Sequence, residues 1–132
     1  ENREISLEQL CFIYAHKTGA LLRSAVLLPA LAFQVDADMM RALRQYGESL
    51  GLAFQIVDDI LDETASSEEL GKPAGSDRRS FKSTWVSMFG LEESRRQAEE
   101  QVALAKKALK KFDPESRKPL ELIADFCLSR SN

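Results

Sequence analysis

Gly51-Leu52-Ala53-Phe54-Gln55-Ile56-Val57-Asp58-Asp59-Ile60-Leu61-Asp62 is the stretch that decides the reading of this 132-residue chain. It sets three carboxylates within five residues, inside an otherwise apolar run. At about 100° per residue, a helix places Gln55, Asp58, Asp59 and Asp62 on one face. Phe54, Val57, Ile60 and Leu61 then form the oily back. Aspartate costs a helix up to ~0.7 kcal/mol against alanine. The following Glu63-Thr64-Ala65-Ser66-Ser67 reads as a loop, which puts the acids near the negative end of the helix dipole. That adds ~0.3–1 kcal/mol per charge. Stability alone does not explain such a cluster. A hard divalent cation does, since carboxylates one turn apart can reach one Mg²⁺ between them.

Outward from this stretch, every segment with a clear period reads as helix. Ser6 with Gln9 forms a capping box for a helix that carries Leu10, Ile13, Leu21 and Val26 toward a core and closes at Pro29. Tyr14, Lys17 and Thr18 share a face of it. Gly19 inside it costs about 1 kcal/mol and predicts a bend or a close backbone approach. The apolar residues 30–35 continue as helix. Asp36-Ala37-Asp38 is the next cap, opening a helix that runs through Met40, Leu43, Tyr46, Leu50, Phe54 and Val57 to the acid cluster.

Residues 63–79 form the loop of the chain, rich in glycine and proline and carrying Lys72, Arg78 and Arg79. Asp77 or Ser80 caps a short helix through Lys82, Trp85 and Phe89, which Gly90 ends. Residues 91–112 form an amphipathic helix with Ala98, Val102, Ala105, Leu109 and Phe112 on its apolar face. Asp113-Pro114 stops it, and Pro119 starts a last helix carrying Leu122, Ile123, Phe126 and Cys127. Nothing alternates with period two, so the fold class is all-α, a single unit over residues 1–132.

Composition narrows the function. With 18 basic and 21 acidic residues, there is no domain-wide basic field for nucleic acid. No apolar run is long enough to span a membrane, and no signal peptide opens the chain. Cys11 and Cys127 read as two buried thiols of a reducing, cytoplasmic protein. His16 stands alone, with no zinc spacing around it. Trp85 reads as core, and the charged face of residues 99–111 as solvated surface.

The acid face alone fits equally a solvated helix end paired with Lys72 or Arg78. Lys17 and Thr18, with Lys72 and Lys82, tip the balance toward a ligand. Carboxylates holding Mg²⁺ beside lysines that contact the same molecule describe a diphosphate site. No GxxxxGK[ST] loop is present, so it is not a nucleoside triphosphate cradle.

Three segments together resemble the trans-prenyl diphosphate synthases: Lys17-Thr18-Gly19-Ala20-Leu21-Leu22, residues 51–62, and Leu70-Gly71-Lys72-Pro73-Ala74-Gly75-Ser76-Asp77 followed by Lys82-Ser83-Thr84-Trp85. The bacterial short-chain, farnesyl diphosphate synthase (geranyltranstransferase) branch is the most similar. The resemblance implies an isoprenoid-synthase helical bundle, a homodimer and a Mg²⁺-dependent reaction. An allylic diphosphate is ionised, condensed with isopentenyl diphosphate, and deprotonated. It implies metal ligation by Asp58, Asp59 and Asp62, and diphosphate contacts from Lys17, Lys72 and Lys82. It places Thr18 and Gln55 toward the carbocation and Phe54 beside the isopentenyl substrate. Ser76 and Trp85 depart from common family residues. The family's first DDxxD-type motif matches nothing here, because Asp36-Ala37-Asp38 is a cap. The chain therefore resembles the C-terminal half of such an enzyme, with half a metal site, and is expected to be inactive alone. The rival reading is a non-catalytic helical partner that binds a diphosphate or another protein.

Overall fold

The computed structural model describes residues 5–69 and 83–130, with residues 66–69 described by backbone alone. All the elements it describes are helices, as the periodicity requires: α1 (Leu7–His16), α2 (Thr18–Ala32), α3 (Ala37–Glu69), α4 (Trp85–Phe89), α5 (Leu91–Ala108) and α6 (Pro114–Ser129). A 3₁₀ turn, Leu109–Lys111, follows α5. The long α3 is the axis. Its Tyr46, Leu50, Ala53, Ile56, Val57 and Ile60 are buried, with α2 and α5 as its main neighbours and α6, α1 and α4 completing the packing.

Local cap chemistry sets most of the helix starts. Ser6 and Gln9 form the expected capping box on α1. Asp36 Oδ1 accepts from the amides of Asp38 and Met39, at 2.9 and 2.8 Å. Asp113 accepts from the Ser116 amide at 3.0 Å and starts α6 with Pro114 in its first turn, where a missing N–H costs nothing. Gly90 (φ 81°) lies between α4 and α5 in a conformation that only glycine adopts readily.

Several expectations are corrected. Pro29 does not close its helix but sits inside α2, which ends at Ala32. The end is a Schellman motif. The amide of Gln34 (φ 52°) donates to the Leu31 carbonyl and that of Val35 to the Ala30 carbonyl. Residues 33–35 are therefore not helical. Residues 63–67 are not a loop, for α3 runs on to Glu69. Thr64 satisfies its hydroxyl by donating within the helix, to Ile60 or Leu61 carbonyls at 2.9 and 3.1 Å. The acid cluster thus lies inside α3, and the dipole penalty falls away because dipole effects are confined to the last turn.

The cap of α4 is Thr84, reciprocated by Ser87, in place of Asp77 or Ser80. The helix expected over residues 91–112 tightens into 3₁₀ at Leu109. Pro119 lies within α6 and does not start it. Ile13 and Leu21 on α1 and α2, and Leu122, Ile123 and Phe126 on α6, face outward, Leu21 at 71% and Phe126 at 66% exposure. The inward side of α6 is Ala124 and Cys127. Periodicity identifies an apolar face but not whether anything covers it.

Tyr46 ties α3 to α6 by donating from Oη to the Leu120 carbonyl at 2.8 Å. Phenylalanine there would remove this second bond and leave the carbonyl its helical partner alone. Tyr46→Phe is expected to cost about 0.5–1.5 kcal/mol, read as a shift in the urea midpoint at unchanged slope.

Candidate functional site

The site begins with the way α1 and α2 lie along α3. Three contacts set an antiparallel register. Tyr14 Oη donates to Asp59 Oδ2. A Cβ on Gly51 would fall 2.8 Å from Gly19 Cα, and one on Gly47 would fall 2.9 Å from Arg23 Cα. Gly47, Gly51, Gln55 and Asp59 step by four, so they form one stripe along α3. Two glycines on it bring the helix backbones into contact, which is the close approach that Gly19 predicted. Gly19 also lies against the turn before it, since a Cβ would sit 2.7 Å from the Tyr14 carbonyl oxygen. The break between α1 and α2 falls at Lys17 (φ −97°, ψ −110°). Lys17 and Thr18 thus lie between the Tyr14 and Gly19 contacts, at the level of residues 51–59, where Gln55 stands. Lys17 is exposed, Thr18 half-buried and Gln55 7% exposed.

The three aspartates are not equivalent. Asp59 Oδ2 accepts from Tyr14 Oη and, at 2.6 Å, from the Trp85 amide. One oxygen therefore joins α1, α3 and the start of α4. Burial pushes the Asp59 carboxyl above its ordinary range, against the opposing pull of those two hydrogen bonds. Burial, reinforced by the Asp59 hydrogen bond, likewise raises the Tyr14 hydroxyl. Asp58 is half-buried, and its Oδ1 accepts from Arg130 Nη2 at 3.0 Å. The same guanidinium lies over the Phe54 ring, 4.6 Å from its centroid. Asp62 is exposed. Lys72 and Lys82 lie outside the described residues.

Among the described residues, no group of three or more His, Cys, Asp or Glu side chains is placed to hold a metal ion. Magnesium needs no such cage. It takes one or two carboxylates together with substrate phosphate oxygens and water. Asp58 and Asp62, one turn apart and reachable from solvent, suit that mode. Asp59 suits it less well, because Oδ2 already serves two donors.

Trp85 is core, as expected, while His16 lies exposed on α1. The His16 ring stacks on Phe12 with centroids 4.0 Å apart, and its Nδ1 lies 2.8 Å from the Phe12 carbonyl oxygen. Trp85 is buried and donates from Nε1 to Gln97 Oε1 at 2.7 Å. Sequence reasoning missed Arg130, which pairs with a residue 72 positions away. It noticed Tyr14 on the Lys17 face without assigning it a partner.

Both cysteines are free thiols, Cys127 buried and Cys11 half-buried. Cys11 lines a groove of about 310 Å³ with Tyr14, Ala15, Gly19, Arg23, Glu48 and Leu52. Burial pushes the Cys127 thiol from its usual 9.0 up to about 11. A disulfide-exchange reagent at pH 8 is expected to modify Cys11 first and Cys127 only on unfolding. Because the folded value is the higher one, the stability that Cys127 contributes is complete below about pH 9 and lost as pH rises through about 11. Urea titrations at pH 8 and 11 check this.

The described residues thus form an all-α bundle in which a lysine–threonine break lies level with the aspartate-rich part of α3. The polyprenyl synthetase family model matches residues 1–123, and the chain belongs to that family. It is 48% identical over 130 residues to a geranylgeranyl diphosphate synthase of Cyanophora paradoxa, covering 98% of this chain and 43% of that protein. It is 42% identical to a dimethylallyltranstransferase of Fischerella ambigua, covering 98% of this chain and 37% of that one. Among solved structures, a geranyltransferase from Legionella pneumophila superposes with a TM-score of 0.78 at 27% identity, over 99% of this chain and 40% of that one. The chain spans about two fifths of the length of these relatives. No described helix is long and apolar enough to cross a membrane.

Proposed function

We propose that this chain forms one wall of the active site of a Mg²⁺-dependent short-chain trans-prenyltransferase, corresponding to the C-terminal half of the catalytic domain. The reaction is condensation of an allylic diphosphate with isopentenyl diphosphate. The observation that supports it most is the register of α1 and α2 on α3, with Lys17 and Thr18 level with Gln55. In this reading Asp58 and Asp62 hold the metal, while Asp59 fastens the helices that carry the site. Magnesium, when bound, neutralises charge on the departing diphosphate. Lys17 supplies a point charge to the same group, joined by Lys72 and Lys82. Thr18 and Gln55 turn dipoles toward the allylic cation without offering a strong nucleophile, and Phe54 forms an apolar wall beside isopentenyl diphosphate.

A farnesyl or geranyl product, a cytoplasmic location and a homodimer of the longer protein belong to the same proposal. Relatives are named for longer products, and some as chloroplastic. Thin-layer separation of labelled products from the catalytically complete protein distinguishes the chain lengths.

The test on the chain itself is calorimetric. Inorganic pyrophosphate is expected to bind only with Mg²⁺ present, and Lys17→Ala is expected to weaken it about tenfold, the effect of losing one hydrogen bond to a charged group. The isolated chain is expected to form no prenyl product. Turnover by the chain alone at an ordinary enzymic rate would sink the half-site reading. Pyrophosphate binding indifferent to Mg²⁺ would favour the other reading, a non-catalytic helical partner. That reading draws on the exposed Phe12, Leu21, Leu28, Leu31 and Phe33 of the α1–α2 side.

A further inference from the structure

Arg130 follows directly on α6 and reaches across to α3. Its Nη2 donates to Asp58 Oδ1 at 3.0 Å, and its guanidinium plane is supported by Phe54. Its Nη1 is buried and meets no hydrogen-bond partner among the described residues. A guanidinium is always charged, and its N–H groups form a fork that matches carboxylate or phosphate oxygens. Here the fork is half used. One arm neutralises an aspartate proposed as a metal ligand, and the other has no partner among the described residues.

We infer that Arg130 is a cationic cap on Asp58, which keeps a divalent cation weakly bound until a diphosphate is present to accept the guanidinium. The inference rests on the reading of Asp58 as a metal ligand. A cation arriving at Asp58 meets a fixed positive charge already on that carboxylate, and like charges at such range oppose one another. A diphosphate changes the balance. Its oxygens can serve the metal and, once the guanidinium turns away from Asp58, its N–H fork as well, so the guanidinium turns from competitor into ligand-binding group. Metal and diphosphate then bind as a coupled pair, each raising the affinity of the other. Arg130 is a positioning residue in this scheme, acting through Asp58 and the diphosphate.

The test uses the 132-residue chain and Mn²⁺, followed by electron paramagnetic resonance, with and without inorganic pyrophosphate. Arg130→Gln is expected to tighten Mn²⁺ binding about tenfold when no pyrophosphate is present, because a competing charge is gone. With pyrophosphate present, the same variant is expected to weaken Mn²⁺ binding by a similar factor. Arg130→Lys keeps the charge but loses the fork. It should match the wild type without pyrophosphate and resemble Arg130→Gln with it. Far-ultraviolet circular dichroism confirms that each variant is folded. Mn²⁺ binding that depends on Asp58 but is unchanged or weakened by Arg130→Gln in the absence of pyrophosphate would overturn the cap and leave the metal site standing. Mn²⁺ binding indifferent to Asp58→Asn would overturn both.

Discussion

Gly51→Ala is expected to destabilise the fold by about 1–3 kcal/mol, the usual cost of overpacking a tight contact. Helix propensity alone predicts the opposite sign, since alanine in a helix interior is worth about 1 kcal/mol over glycine. The contact decides between them. The added Cβ would lie 2.8 Å from Gly19 Cα, which is backbone and cannot turn aside. Either α2 and α3 move apart or the break at Lys17 shifts, and both disturb Lys17 and Thr18 relative to Gln55. Urea denaturation of the variant measures the sign directly. A stabilised variant would mean that the two helices do not touch at this point. Gly51→Val should be worse still, because a branched side chain in the same gap has no rotamer that avoids the backbone.

Asp58→Asn is expected to lower product formation by about 10²–10³ in the catalytically complete protein, comparable with losing one electrostatic group aimed at a developing charge. It should leave thermal stability nearly unchanged, because Asp58 is half-exposed and its pair with Arg130 is partly open to solvent. Asp59→Asn is the informative contrast. Its side chain links α1, α3 and α4 through Tyr14 and the Trp85 amide, so its substitution should register in stability as well as in activity. Labelled isopentenyl diphosphate incorporation, set beside thermal melts, separates the two roles. Equal activity losses with equal stability losses would show that the aspartates share one function.

The two aspartates also show how far sequence reasoning reached. The acid face was legible because three carboxylates in an apolar helix are locally costly and need a reason. Their division of labour was not, because it depends on Tyr14, Trp85 and Arg130, which are 45, 26 and 72 positions away. The prolines show the same limit. Asp113-Pro114, read as a helix stop, also starts α6, five residues before the expected Pro119 start. Pro29 inside α2 was not legible either, since a helix tolerates the lost hydrogen bond only when packing elsewhere holds it, as burial of Ala30 does here.

By itself, then, the sequence determined the all-helical class, the caps at Ser6 and Asp36, and the residue types of the proposed diphosphate site. Those signals lie within one or two turns of chain, where hydrogen-bond and rotamer preferences act. Only the tertiary structure decided that Gly47 and Gly51 seat α2 against α3, that Asp59 fastens while Asp58 stays reachable, and that Arg130 pairs with Asp58. Those outcomes depend on which backbones come into contact and which charges meet across the fold, and no local pattern encodes either.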